Sequence, residues 1–140
     1  MKTLTIIQAR LGSSRLPGKV LKKFKKITYL ELMIRRLQKS KTKGKIIVAT
    51  THNKIDDHIS NVCNILNIPC FRGSETDVID RYYQAAKKFN AKNIIRLTAD
   101  CPLVDPKVLD KVVNAYFSNK ADYATNTMPP TYPDGIDVEI

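Results

Sequence analysis

Short runs of apolar, β-branched residues alternate along this chain with longer stretches whose apolar positions recur every three or four residues. Residues 3–8, 45–50, 69–71 and 93–98 read as strands, buried on both faces because their apolar character is nearly continuous. Helical spacing follows in Leu30, Met33, Ile34 and Leu37, then in Ile55, Ile59, Val62 and Leu66. It returns in Val78, Tyr82, Ala85 and Phe89, and again in Leu109, Val112, Val113 and Tyr116. Start signals agree with these stripes. Thr28 and Glu31 form a capping box, Asn53 reads as an N-cap, and Asp105 precedes a proline suited to the first helical position. Residues 122–126 and 135–140 read as a fifth and a sixth strand around a proline-rich loop, residues 128–135. No internal repeat or low-complexity linker interrupts the pattern. Strand and helix alternation predicts an α/β fold with a largely parallel sheet.

Composition narrows the class. The 140 residues suit one domain, and a hydrophobic fraction of 43% is ordinary for a globular chain. No apolar run approaches the roughly 20 residues that span a bilayer, and no secretory signal follows Met1. The three cysteines form no CxxC pair, so neither a disulfide framework nor a zinc site is expected. A cytoplasmic location fits them. Cys101 reads as packing filler, and Tyr82 with Tyr83 as core. His52 and His58 read as a loop residue and an exposed helix residue. A net charge of +11 admits nucleic acid, anionic membranes or phosphorylated ligands as partners. The lysine clusters, at 22–26, 39–45 and 87–92, fall mostly in loops and at helix ends, where a solvated surface accounts for them.

The chemistry concentrates after the first strand. Arg10, Gly12, Ser13, Ser14, Arg15, Gly18 and Lys19 combine small residues with two guanidinium forks and an ammonium. Small residues let backbone N–H groups approach an anion, and Arg and Lys supply the countercharge. A polyphosphate is the expected guest. Five residues separate Gly12 from Gly18 and Val20 follows Lys19, so the P-loop spacing and its magnesium-binding hydroxyl are missing. The dinucleotide fingerprint is missing too. If the strands lie in the common order 3-2-1-4, the ends of strands 1 and 4 share the crevice where open α/β sheets bind ligands. Asp100 then faces the cationic loop and becomes a seat for Mg²⁺ beside bound phosphates.

Residues 7–10 (Ile-Gln-Ala-Arg), residues 13–19 (Ser-Ser-Arg-Leu-Pro-Gly-Lys) and Leu21 resemble the N-terminal signature of the sugar cytidylyltransferases. These include the CMP-sialic acid (acylneuraminate) and 3-deoxy-manno-octulosonate enzymes. Residues 72–83, 98–103 and 132–139 are similar to one branch, the spore coat polysaccharide biosynthesis proteins. Gln8 stands where many of these enzymes have proline, a departure that fits the spore coat branch.

The resemblance implies a Rossmann-like three-layer sandwich with a mostly parallel sheet, the glycosyltransferase-A-type nucleotidyltransferase fold. It implies Mg²⁺-dependent transfer of CMP from CTP to a sugar, giving a CMP-sugar and pyrophosphate for surface polysaccharide synthesis. By that likeness Arg10, Lys19 and Asp100 are catalytic, and Asp100 holds the metal. Arg10, Arg15 and Lys19 hold the triphosphate, together with Gly12 and Ser13. Backbone at Ala9 and Leu11 reads the base, and Arg72 and Ser74 border the nucleoside. Asp137 and Glu139 lie near the sugar. The likeness also implies a second metal-binding aspartate and a dimerising arm beyond residue 140. Residues 1–140 are accordingly expected to be the nucleotide-binding part of a single domain that is incomplete at its C-terminus. A homodimer is expected of the full-length protein, with no nucleic-acid or membrane partner. Two alternatives stand beside this reading: a catalytically inactive nucleotide-binding relative, and a basic nucleic-acid-binding module.

Overall fold

The computed structural model describes residues 2–13 and 16–140. Strand β1 (Thr3–Gln8) is followed by a short helical turn at Lys19–Leu21 and a small hairpin, β2 (Lys23–Phe24) and β3 (Ile27–Thr28). Then come α1 (Tyr29–Leu37), β4 (Lys45–Thr51), α2 (Asp57–Ile65), β5 (Cys70–Gly73), α3 (Val78–Lys88), β6 (Asn93–Thr98) and α4 (Pro106–Ser118). The main sheet has the order β5-β4-β1-β6 and is parallel throughout. That is the 3-2-1-4 order expected, with the central strand followed outward in both directions.

Alternation within β1 builds the three layers. Leu4 and Ile6 face α3, where they meet Ile47, Ala49 and Ala85. Ile7 faces the opposite side, against Leu30, Met33 and Ile34 of α1, Ile59 of α2 and Leu109 of α4. Both faces are therefore covered, which is what a parallel sheet requires. Caps hold the helix starts. Thr28 Oγ1 accepts from Glu31 N at 3.1 Å, and Asp105 Oδ1 accepts from Lys107 N and Val108 N at 2.8 and 3.1 Å.

The structure corrects four local expectations. Asn53 makes no side-chain cap; a helical turn at Lys54–Asp56 precedes α2, which starts at Asp57. Ile55 accordingly lies outside the apolar stripe, 54% exposed. Tyr82 packs beside the α3 core, whereas Tyr83 is exposed. Residues 122–126 and 135–140 are not regular strands. They meet in one antiparallel bridge, Thr125 to Glu139, and Glu139 also bridges Arg96 at the edge of β6. Asn126 is the reason: its side-chain amide bonds Ile136 O and Val138 N, occupying backbone groups that a longer ladder would use.

Candidate active site

The parallel ladder continues one residue past β1. Ala9 N donates to Ala49 O at 3.1 Å, and Ala99 N donates to Gln8 O at 2.9 Å. Both chains then leave the sheet at the same level, on either side of the point where the winding reverses. The β1 exit is tied down by a buried carboxylate. Asp56, 1% exposed, accepts from Leu11 N at 2.8 Å through Oδ1 and from the Thr51 hydroxyl through Oδ2. Leu11 O in turn accepts from Ser13 N at 2.9 Å and Gly18 N at 3.1 Å. The loop is thereby closed at its base. Gly18 takes a φ of 68°, a left-handed turn open to glycine, and buried Val20 anchors the helical turn that follows.

Lys19 consequently reaches across the sheet end. Its Nζ lies 2.8 Å from Asp100 Oδ2. Gln8, Arg10, Ser13, Lys19, Thr98 and Asp100 line one crevice of about 220 Å³. Burial alone would raise the Asp100 carboxyl. Hydrogen bonds from Lys19 and Thr98, with the charge of Lys19, outweigh it and hold the group below its ordinary range. The crevice thus holds an ionised carboxylate beside a cationic wall.

The other expected residues lie in several places. Ala9 and Leu11 are buried under the crevice, and both of their N–H groups are engaged as described. Gly12 is exposed and faces Glu75; a methyl group there would lie 3.6 Å from Glu75 Oε1. Arg15 and Ser14 lie outside the described residues. Arg72, on β5, clamps residues 51–57. Its Nε donates to Thr51 O at 2.8 Å, its Nη2 to Asn53 O at 2.7 Å, and its Nη1 to Asp57. Ser74 Oγ accepts from Asp77 N at 3.0 Å, ordering the turn into α3. Arg72 and Ser74 border a separate depression with His52 and Asp80, not the crevice itself. Asp137 and Asp134 come within electrostatic reach of Cys101, next to Asp100. Glu139 is bound to Arg96, Oε1 to Nη1 at 2.7 Å.

Three residues escaped the sequence reading. Asp56 organises the loop, Thr98 supports Asp100, and Arg81 lies wholly buried with Nη1 bonded to Ser74 O. Only Thr98 carried a usable signal, as the last residue of the strand that delivers Asp100.

A doubly covered parallel sheet, with Arg10 and Lys19 across from a carboxylate at its switch point, defines an open α/β protein with a candidate anion-binding crevice. The comparisons are more specific. The model of one protein family, Cytidylyltransferase, matches residues 4–132. The chain belongs to the cytidylyltransferase family. It is 46% identical over 125 residues to an uncharacterized protein of Methanocaldococcus jannaschii, covering 89% of this chain and 51% of that protein. It is 39% identical over 124 residues to the spore coat polysaccharide biosynthesis protein SpsF of Bacillus subtilis, covering 86% of this chain and 52% of SpsF. A solved cytidylyltransferase from Leptospira borgpetersenii superposes with a TM-score of 0.94 at 42% identity, over 99% of this chain and 59% of that one. The chain thus spans about half the length of the curated relatives it matches.

Proposed function

We propose that this chain supplies the nucleotide-binding half of an enzyme that transfers CMP from CTP to a sugar, releasing pyrophosphate, for surface polysaccharide synthesis in the cytoplasm. The observation that carries the reading is the crevice at the β1–β6 junction, where Arg10 and Lys19 face Asp100. Family membership and the role that names the Bacillus relative support the nucleotide and the pathway class.

The reaction is an in-line displacement. A sugar oxygen forms a bond to the α-phosphorus, the bond from that phosphorus to the bridging oxygen breaks, and pyrophosphate leaves. Such chemistry asks a protein for positioning and charge stabilisation. Arg10, Lys19 and Arg15 take the triphosphate and the charge that develops on the leaving group. Lys19 exchanges its bond to Asp100 for one to a phosphate oxygen when the nucleotide enters. Asp100 is a hard oxygen donor, held ionised and partly exposed, which suits Mg²⁺. Among the described residues no group of three or more His, Cys, Asp or Glu gathers to hold an ion, so Asp100 would hold Mg²⁺ together with phosphate oxygens and water. Bound there, Mg²⁺ would neutralise charge at the α-phosphate. Ser13 adds a hydroxyl to the crevice wall, and the Arg72–Ser74 segment borders the nucleoside. Asp137, beside the Asp100 turn, lies towards the sugar. The full-length enzyme is a homodimer in this reading. Among the described residues no helix is long and apolar enough to cross a membrane.

A thermal-shift panel of CTP, UTP, GTP and NAD, each with and without Mg²⁺, tests the binding step. CTP with Mg²⁺ should raise the midpoint most, and Asp100→Asn should remove the part that depends on Mg²⁺. Pyrophosphate release by the full-length protein tests turnover. Equal shifts from all four ligands, or a Mg²⁺-dependent gain undiminished in Asp100→Asn, would overturn the assignment.

A further inference from the structure

The structure assigns a second reactive centre, outside the crevice: Cys63 and Cys70 form a dithiol that hydrogen peroxide closes to a disulfide. Cys63 projects from α2 and Cys70 opens β5, and both line one surface depression with Asn64, Asn67, Ile68 and Pro69. The connecting turn is short and fixed. Asn67 takes a φ of 53°, and Ile68 N donates to Cys63 O at 2.9 Å, folding the strand entry back onto the helix end. Ser60 lies one turn before Cys63 on α2 and its Oγ is 3.6 Å from Cys70 Sγ, so the face of α2 that carries Cys63 is the one turned to Cys70.

Their environments differ in the way a reactive pair requires. Cys63 is fully buried, and Cys70 is partly exposed in the depression. Cys70 Sγ lies 3.6 Å from Ser60 Oγ, and Arg72 stands two residues along the strand. The neighbouring Cys63 pulls the Cys70 thiol down, against burial, with help from Ser60 and Arg72. The same neighbourhood, with burial, pushes Cys63 up. Thiolate character and access thus fall on Cys70, which makes it the attacking sulfur, while Cys63 stays protonated as the resolving thiol.

The chemistry balances without a cofactor. The Cys70 thiolate attacks one peroxide oxygen, the O–O bond breaks, and hydroxide leaves as Cys70 becomes a sulfenic acid. The Cys63 sulfur then attacks the Cys70 sulfur, the S–O bond breaks, and water leaves. In sum two thiols and one peroxide give one disulfide and two waters. The sulfurs are oxidised and the peroxide oxygens reduced. Cys101 stands apart in the Asp100 turn and does not line the depression that holds Cys63 and Cys70, so it has no second thiol to close with.

Stoichiometric hydrogen peroxide added to the reduced protein tests this by intact mass, thiol titration and peptide mapping. All three cysteines are free thiols. Titratable thiols in the unfolded, oxidised product should fall from three to one, with a loss of about 2 Da that dithiothreitol reverses. The map should join residues 63 and 70. Cys63→Ser should instead accumulate a dimedone-reactive sulfenate at Cys70, and Cys70→Ser should slow peroxide consumption at least tenfold. Two results on the wild-type chain would overturn the proposal whatever the variants do: peroxide reacting first at Cys101, or Cys70 passing to the sulfinic acid with no joined peptide.

Discussion

Replacing Asp56 should damage the loop after β1 from below. The carboxylate is almost wholly buried and serves two donors, Leu11 N and the Thr51 hydroxyl, both in buried residues. Asp56→Ala removes both acceptors. A buried donor left without a partner costs about 1–3 kcal/mol, so two would cost roughly 2–6 kcal/mol. Part of that is returned because the variant no longer buries a charge. A net loss of about 2–4 kcal/mol follows. Unfolding entropies near 2.1 cal/mol/K per residue make about 1 kcal/mol equal to some 3 °C for a chain this long. The midpoint should then fall by roughly 7–13 °C. Asp56→Asn keeps an oxygen for Leu11 N and can present its amide to the Thr51 oxygen, so it should lose about 1 kcal/mol. Urea denaturation with an unchanged m-value would measure both, and CTP titration should show weaker binding in the alanine variant wherever it is still folded. The reasoning fails if Asp56→Ala lies within about 0.5 kcal/mol of wild type, or if Asn costs as much as Ala.

Other perturbations separate scaffold from site. Asp110 accepts from the Ser40 and Thr42 hydroxyls and from the N–H groups of Lys41 and Thr42, holding the turn before β4. Asp110→Ala should cost about 1.5–3 kcal/mol in chemical denaturation without altering nucleotide affinity. At Gly44, φ is 59° and a Cβ would lie 2.1 Å from Thr3 O, so Gly44→Ala should destabilise by about 3 kcal/mol or more. Thermal melts would show a Gly44→Ala protein as stable as wild type if that packing is misread. Asp100 and Asp110 both titrate below the ordinary carboxylate value of 3.8. A carboxyl depressed by folding adds stability at pH values above that value and loses it as pH falls through the folded pKa. Stability measured from pH 6 to pH 2 should therefore drop, and the drop should be shallower in the Asp100→Asn, Asp110→Asn double variant. The Lys19–Asp100 pair is 27% and 39% exposed by side chain, so a double-mutant cycle should give a coupling of about 0.2–1 kcal/mol. Lys19→Ala should nevertheless lose most CTP affinity.

The parts of the fold that depend on hydrophobic alternation could be read from the chain. β1 and β4 are nearly continuous apolar runs because both faces are covered, while the edge strand β6 alternates and leaves Arg96 exposed, and the strands take the order expected of a doubly wound sheet. That order is also what made the Arg10–Lys19 loop and Asp100 legible as one site. They are 81 residues apart at their closest pair, yet both sit where a strand ends. What stayed hidden depends on contacts between loops. Asp56 sits in a polar run, Thr-His-Asn-Lys-Ile-Asp-Asp, and looks solvent-exposed until β1 and β4 pair and lay the β1 exit over it. Arg72 looked like a ligand residue. Its three donors turn back on the same run, so any role beside the nucleoside is exercised from a clamped position. The β2–β3 hairpin lacks the glycine or asparagine that signals a turn, and Lys25 takes the left-handed conformation, at φ 56°, in its place. The Asp56 contacts are buried and hold the fold, whereas the crevice pair is partly exposed and worth little to it. Stability here rests on Asp56, Asp110 and the two apolar layers. The Lys19–Asp100 pair adds little to it, which leaves both side chains available for the ligand role proposed above.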